Sequence, residues 1–180
     1  MTVYVALLRG INVGGHRKVA MPLLRQMFET IGFGRVRTYI NSGNVIFDAE
    51  DGAEADRELA GRIEREIETT FGFPVDVMVR SAADLARAIA ANPYANAGAP
   101  ADLHLHIGFM RGAPDPQALD KLAPFVNEQD EFRVIGREIY AIFRSGVRDS
   151  KLAGQLSRLG VPVTLRNWNT TCKLAEMAAN

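Results

Sequence analysis

The chain has 180 residues, of which 47% are hydrophobic and 23% charged, and its formal net charge at pH 7 is zero. These values are ordinary for a folded domain, and the lack of net positive charge argues against a large nucleic-acid footprint. The single Cys172 excludes an intramolecular disulfide and a zinc site of several thiolates. No run approaches the roughly 20 apolar residues of a membrane span, and the start, MTVYVALLRG, lacks the features of a signal peptide. We therefore expect a soluble, cytoplasmic protein.

The first part of the chain predicts the order strand, helix, strand, strand, helix, strand. Apolar runs rich in β-branched residues indicate strands, and apolar positions three and four apart indicate helices. The predicted elements are a strand over 3–9, a helix from Pro22 to Gly32, two strands within 35–47 around NSGN, a helix over 53–71 and a strand over 75–80. This order is that of the ferredoxin-like split βαβ unit.

A connecting helix and a linker follow, and the pattern then starts again. Ser81 and Asp84 form a capping box that predicts a helix over 82–91, and the turn-rich segment 92–102 indicates a linker. The later elements are a strand over 103–110, a helix opened by Pro114 and Pro116, a hairpin over 132–143 that turns near Gly136, a helix over 150–160, a strand over 161–168, and a terminal helix over 170–178 with Asn169 as its N-cap.

Short matches in the same order in both halves support a duplication. They are Arg-Gly at 9–10 and 111–112, Leu-Ala-Gly at 59–61 and 152–154, and Gly-x-Pro-Val at 72–75 and 160–163. We predict an α+β fold made of a tandem duplication of two ferredoxin-like βαββαβ units with mainly antiparallel sheets, plus a C-terminal helix. The first unit with its connecting helix spans 1–91, and the second spans 103–180.

The segment RGINVGGHRK, residues 9–18, lies between the first predicted strand and the first helix. The predicted topology places it at one sheet edge with the hairpin tip at 41–44 and with GFP at 72–74. Backbone N–H groups of a glycine-rich loop beside a helix N-terminus suit an anion, as do arginine and lysine. The predicted ligand-binding residues here are Arg9, Gly10, Asn12, Gly14, Gly15, Lys18, Asn41, Ser42 and Asn44. The alternative is an ordinary solvated turn.

Known phosphate-loop and catalytic fingerprints do not match this segment. Gly10 and Gly15 have the required glycine spacing, but His16 and Arg17 stand where a phosphate loop has Lys and Ser or Thr. His16 is a candidate general base, yet no partnered Asp or nucleophile stands out. Whether the protein is an enzyme therefore stays open.

The segment TLRNWNTTCK, residues 164–173, carries the only tryptophan of the chain. Trp168 is either a packing anchor for the terminal helix or a stacking edge for a base or another aromatic ligand. In the second case the binding residues are Arg166, Asn167, Trp168 and Asn169. Cys172 is either a small buried hydrophobe or a thiol with a depressed pKa.

Alternation places His104 and His106 on one face of a strand, which we expect to be the outer face, near Tyr140. Without a third ligand at a suitable spacing we expect no metal site, and no cofactor is indicated. The strand over 3–9 is apolar on both faces, whereas the helices of a ferredoxin-like unit cover only one. The other face would then be buried by the second sheet or by a homodimer.

Four segments resemble the hallmark segments of bacterial domain-of-unknown-function family 1697. They are ALLRGINVGG, MPLLRQMFETIGF, VRTYINSGNVIF, and TLRNWNT with the KL that follows it. The resemblance runs from about Val3 to Leu174 and implies the tandem ferredoxin-like architecture. The family offers no established activity to transfer, so the resemblance concerns the fold and not the chemistry.

The leading functional hypothesis is a cytoplasmic module that binds a small anionic ligand, a nucleotide or another phosphate ester, at residues 9–18. One alternative is an RNA-binding protein that stacks bases on exposed sheet aromatics. The zero net charge disfavours it, and Tyr4 and Phe47 are the only aromatics on the first and third predicted strands. Another is an enzyme acting on a phosphorylated metabolite, with His16 as its base. The sequence indicates neither the ligand nor the oligomeric state, nor whether 9–18 and 166–170 share one site.

Overall fold

The computed structural model describes residues 1–94 and 104–180, and in these ranges the protein is α+β, with two four-stranded antiparallel sheets and six α-helices. The chain forms two compact units. Unit 1 comprises Met1–Ala86 and Lys173–Asn180, and unit 2 comprises Arg87–Cys172. From residue 95 onward, the predicted linker over 92–102 lies outside the described residues. Within the described ranges, no helix is long and apolar enough to cross a membrane.

The first sheet lies in unit 1 and follows the predicted order of elements. These are β1 (Thr2–Leu8), α1 (Met21–Thr30), β2 (Gly34–Tyr39), β3 (Asn44–Ala49), α2 (Ala55–Phe71), β4 (Val77–Ser81) and α3 (Ala82–Ala90), whose last residues belong to unit 2. The strand order is β2-β3-β1-β4. Helix α1 has a proline in its first turn, where no intrahelical N–H is needed, and α2 ends at Gly72 in the left-handed conformation.

Both faces of the first sheet are buried. Tyr4, Ala6 and Leu8 of β1 belong to the core cluster that also contains residues of α1 and α2. On the opposite face, Val5 and Leu7 are fully buried within the single chain. The expected burial of the second apolar face of β1 is therefore observed.

The second sheet lies in unit 2 and has the corresponding strand order, β6-β7-β5-β8. Its elements are β5 (Leu105–Met110), α4 (Pro116–Asp120), β6 (Asp130–Ile135), β7 (Glu138–Phe143), α5 (Lys151–Gln155), β8 (Val163–Asn167) and α6 (Trp168–Ala178), of which residues from Lys173 belong to unit 1. Helix α5 is shorter than the helix predicted over 150–160, because from Leu156 to Arg158 the chain forms a 3-10 turn. Gly154 within it lowers the helix propensity.

Each fourth strand runs directly into a helix that its last residue caps. At the start of α3, the Ser81 hydroxyl accepts the Asp84 N–H at 3.1 Å and donates to Asp84 Oδ2 at 2.9 Å, so Ser81 is the N-cap, as predicted. At the start of α6, Asn167 Oδ1 accepts the Thr170 N–H at 2.8 Å. The prediction of Asn169 as N-cap was therefore wrong, since α6 begins at Trp168 and Asn169 lies inside its first turn.

The predicted location of His106 beside Tyr140 was also wrong. In the observed register His106 lies opposite Ala141, and its ring centroid is 5.4 Å from that of Phe143. Ala141 and Phe143 belong to the core cluster of unit 2 that includes residues of α5. Tyr140 lies opposite Ile107, and since neighbouring residues of a strand point to opposite faces, it is on the other face from His106.

Candidate functional site

The loop between β1 and α1 lies at one edge of the first sheet, beside the β2–β3 hairpin tip. The Leu8 N–H donates to the Gly43 carbonyl at 2.9 Å, and the Arg9 N–H donates to the Asp76 carbonyl at 3.0 Å, just before β4. The expected convergence of the β1 exit with the hairpin tip is therefore observed. The start of β4 joins them through Asp76, two residues beyond the predicted segment 72–74.

Asn12 holds this loop closed through its side chain. Its Nδ2 donates to the Val19 carbonyl at 2.9 Å and to the Asn41 carbonyl at 2.8 Å, while its Oδ1 accepts the Val19 N–H at 2.8 Å. The residue has a φ of 55°, which asparagine tolerates better than most residues. The Asn12 side chain is therefore committed to the loop structure.

The tip of the loop is a tight turn. The His16 N–H donates to the Val13 carbonyl at 3.0 Å, and Gly14 and Gly15 between them have φ values of 59° and 75°. A two-residue turn with positive φ at both central positions requires residues such as glycine. Arg17 follows with a φ of 50°, a strained value for a residue with a long side chain.

The hairpin tip over 41–44 supports the loop by packing. Asn44 is fully buried, and its Nδ2 donates to the Tyr39 carbonyl and to Ser42 Oγ, both at 2.9 Å. Gly43 has a φ of 90°, and a Cβ at this position would lie 2.8 Å from side-chain atoms of Ile11 and of Leu8. Asn44 and Gly43 therefore serve the architecture of this edge.

The basic side chains of the loop differ in their surroundings. Arg9 Nη1 is 3.3 Å from Asp76 Oδ2 in a half-exposed ion pair. Arg17 and Lys18 are exposed, and within the described part of the chain neither side chain has a hydrogen-bond or ion-pair partner. Arg17 was absent from the predicted site residues, although the sequence signal was present in the basic run from His16 to Lys18.

The predicted site residues of the second segment, 166–169, belong to unit 2 and divide into two groups. Asn167, Trp168 and Asn169 line a cleft. Arg166 is buried instead, and its guanidinium donates to Thr164 Oγ1 at 2.8 Å and to the Leu165 carbonyl at 2.9 Å. Burial lowers the pKa of Arg166 to about 10. Its role is therefore structural in this environment.

The cleft has a volume of about 530 Å³ and lies where β5 begins and where β7 and β8 end. Its described lining residues are His104, Leu105, His106, Gly146, Val147, Arg148, Asp149, Asn167, Trp168 and Asn169. Sequence reasoning missed Arg148 and Asp149, because no spacing connects the loop 146–149 with the β8–α6 junction. The antiparallel pairing of β5 with both β7 and β8 brings these segments to one edge.

Other ionisable groups have structural surroundings. The Tyr4 hydroxyl donates to Asp51 Oδ1 at 3.0 Å, and burial with this contact raises the pKa of Tyr4 to about 12. Burial raises the pKa of the Cys172 thiol, so the hypothesis of a depressed pKa is not supported. Across residues 1–94 and 104–180, no group of three or more His, Cys, Asp or Glu side chains is placed to hold a metal ion.

Comparison with known proteins assigns the family. Residues 1–140, which include the loop 9–18 and the hairpin tip, match the family described as protein of unknown function DUF1697. The chain belongs to this family. It is also similar to a conserved bacterial protein from Streptococcus pneumoniae of known structure, with 28% sequence identity over 98% of both chains and a TM-score of 0.75. No curated protein matches the chain.

Proposed function

We propose that this chain is a cytoplasmic module that binds a small anionic ligand, a nucleotide or another phosphate ester, at the loop 9–18. One observation carries the proposal. A loop closed by Asn12 presents two adjacent cations, Arg17 and Lys18, whose side chains have no partner in the described residues. Guanidinium and ammonium groups bind phosphate oxygens through charge-assisted hydrogen bonds.

The loop residues divide into a contacting group and a supporting group. Arg17, Lys18 and the exposed backbone of Gly14 and Gly15 would contact the anion, since glycines allow a ligand to approach the main chain closely. The half-exposed Arg9 would join them by exchanging its ion pair with Asp76 for the ligand. Gly10 has a φ of 69° and lets the chain turn out of the sheet.

The supporting group fixes the loop before a ligand arrives. It consists of Asn12, Ser42 and Asn44, which hydrogen bond to backbone or to each other, while the exposed side chain of Asn41 is placed beside the loop to orient a ligand. Because the loop is closed by these bonds, binding does not have to order it, and this lowers the entropic cost.

The two units are also proposed to be ferredoxin-like copies produced by tandem duplication, with boundaries at 1–91 and 103–180. The matching strand orders of the two sheets support this. So do the equivalent ends of the fourth strands, where Arg80-Ser81 precedes α3 and Arg166-Asn167 precedes α6. Arg80 lies opposite Val5, and Arg166 lies opposite Ile107 at the corresponding place in the second sheet.

The test is thermal unfolding of the wild type and of an Arg17→Ala/Lys18→Ala variant with phosphate, pyrophosphate, sugar phosphates, nucleotides and carboxylates. A ligand at 100 times its dissociation constant stabilises the folded state by roughly 2.7 kcal/mol. This corresponds to a rise in melting temperature of about 5–10 °C for a chain of this size. We expect the rise for a phosphate-bearing ligand. With phosphate, pyrophosphate or sugar phosphates it should be lost in the variant, and with nucleotides it should be reduced.

An Arg65→Ala/Lys121→Ala variant is the matched control. The two replaced side chains are exposed and lie outside the loop. This variant therefore loses the same two positive charges as the loop variant. It should keep the ligand-dependent rise of the wild type. Equal loss in both variants would show a nonspecific charge effect, and no rise with any compound of the panel would contradict the loop assignment.

A further inference from the structure

The cleft of unit 2 is lined by polar and aromatic side chains that have no part in the proposal for the loop. Its described walls are the start of β5, the loop 146–149 and the β8–α6 junction. Its volume of about 530 Å³ falls within the range of roughly 300–1,000 Å³ typical of small-molecule sites. An open cleft of this size has room for one small ligand against its walls, whereas the loop 9–18 presents its groups from an exposed turn.

Four side chains of the cleft are available for a ligand. They are the guanidinium of Arg148, the carboxylate of Asp149, the indole of Trp168 and the amide of Asn169. Throughout residues 1–94 and 104–180, none of these side chains has a hydrogen-bond or ion-pair partner. Apolar and aromatic surface combined with a few convergent polar groups is the usual composition of a ligand site.

His106 adds a hydrogen-bond acceptor of defined identity. Its Nδ1 lies 2.9 Å from the His104 carbonyl oxygen, and since a carbonyl only accepts, Nδ1 carries the proton in this contact. In the neutral ring Nε2 is then the acceptor. Burial lowers the pKa of His106, and this favours the neutral form at physiological pH.

We propose that this cleft binds a nucleoside monophosphate. The base stacks on Trp168, as bases do on aromatic side chains, and the amide of Asn169 lies beside it. Arg148 holds the phosphate through its planar fork, and Asp149 accepts a hydrogen bond from a ribose hydroxyl, as acidic residues do in dinucleotide sites. His106 Nε2 accepts a further N–H or O–H of the ligand.

The charges of the cleft favour a single nucleotide over a strand of RNA. Arg148 is the only arginine or lysine among its described lining residues, which suits one phosphate. A nucleic-acid strand is held by a row of cations, and the chain has zero net charge. This inference is independent of the proposed function, because its residues belong to a different unit from the loop 9–18.

The intrinsic fluorescence of Trp168 tests the proposal directly, because the chain has no other tryptophan. The protein is titrated with AMP, CMP, adenosine and inorganic phosphate, with excitation at the red edge of the indole absorption. We expect saturable quenching by AMP and CMP, weaker binding of adenosine, and no quenching by phosphate alone. In an Arg148→Ala variant, the affinity for AMP should fall about tenfold, to that for adenosine.

The controls separate this site from the loop. The Arg17→Ala/Lys18→Ala and Lys121→Ala variants should keep the wild-type titration with AMP, and Asp149→Asn should weaken adenosine and AMP alike. Circular dichroism confirms that each variant is folded. The proposal is overturned by the absence of saturable quenching up to about 10 mM nucleotide, where a millimolar site is occupied. It is also overturned if a short RNA quenches while AMP and CMP do not, or if Arg148→Ala leaves the affinity for AMP unchanged.

Discussion

The loop of unit 1 and the cleft of unit 2 use the same kinds of polar residue in opposite ways. In the loop region, the amides of Asn12 and Asn44 bind backbone groups and hold two turns together. In the cleft, the amide of Asn169 and the guanidinium of Arg148 bind no described residue. The side-chain amides of Asn12 and Asn44 are therefore architectural, and the exposed cations of the loop 9–18 are the groups that our proposal assigns to a ligand.

This difference explains why a residue that belongs to a sequence motif need not belong to a binding site. A side chain that satisfies buried backbone groups stabilises the fold, and its removal leaves those groups without partners. A side chain that lines an open cleft and touches nothing is nearly neutral for stability and is available for binding. Stability measurements on paired variants can therefore separate the two kinds of residue without knowledge of the ligand.

The largest expected effect is at Gly43. Gly43→Ala would place a Cβ 2.8 Å from Ile11 and Leu8 atoms and would hold alanine at a φ of 90°. Overpacking and left-handed strain together cost about 2–4 kcal/mol. Gly15→Ala has a φ of 75° but no atom near the added Cβ, so it should cost only about 1–2 kcal/mol. Urea unfolding of both variants measures the difference, and equal losses would show that Gly43 does not brace the loop.

The next comparison is between two asparagines. Asn44→Ala removes a fully buried amide and leaves the Tyr39 carbonyl without this donor, so we expect a loss of about 2–3 kcal/mol in the free energy of unfolding. Asn169→Ala, in the exposed wall of the cleft, should change stability by less than about 0.5 kcal/mol. The same denaturation experiment applies. A comparable loss at Asn169 would place that residue with the architectural asparagines.

The sequence predicted the order of elements well, because strand and helix periods differ and turns are marked by glycine, proline and asparagine. The prediction from sequence failed where the local pattern allowed two N-cap positions or two orientations of a strand equally well. Asn167 and Asn169 are both good N-cap residues, and only the end of β8 decides between them. Alternation placed His104 and His106 on one face, but which face the helices cover depends on the tertiary packing.

The candidate site was predictable only in part for a similar physical reason. The loop 9–18 and the hairpin tip 41–44 follow from the order of strands, because their sheet edge is determined once that order is known. Arg148 and Asp149 lie in a loop without a distinctive motif. Their proximity to Trp168 arises from the pairing of β5 with both β7 and β8, which local pattern does not reveal.

A smaller effect tests the division of roles at the β8–α6 junction. Asn167→Ala removes the side-chain acceptor of the Thr170 N–H and should cost about 1 kcal/mol. Asn167→Ser keeps an acceptor and should recover most of this loss. Ser81→Ala, at the corresponding start of α3, should cost a similar amount. If Asn167→Ala were neutral while Asn169→Ala destabilised, the cap would be at the position that the sequence first suggested.

The smallest expected effect is the pH dependence contributed by His106. Burial lowers its pKa in the folded protein below the ordinary value of 6.5. As the pH falls through 6.5, the unfolded chain therefore binds a proton that the folded chain does not, and the unfolding free energy decreases. His106→Gln removes this titrating group. Between about pH 7.5 and pH 5.5, the wild type should therefore lose more unfolding free energy than the variant. Denaturation curves at both pH values measure this difference. An equal change in the two proteins would mean that His106 is as solvated in the folded cleft as in the unfolded chain. That outcome would also weaken the assignment of His106 as a neutral acceptor.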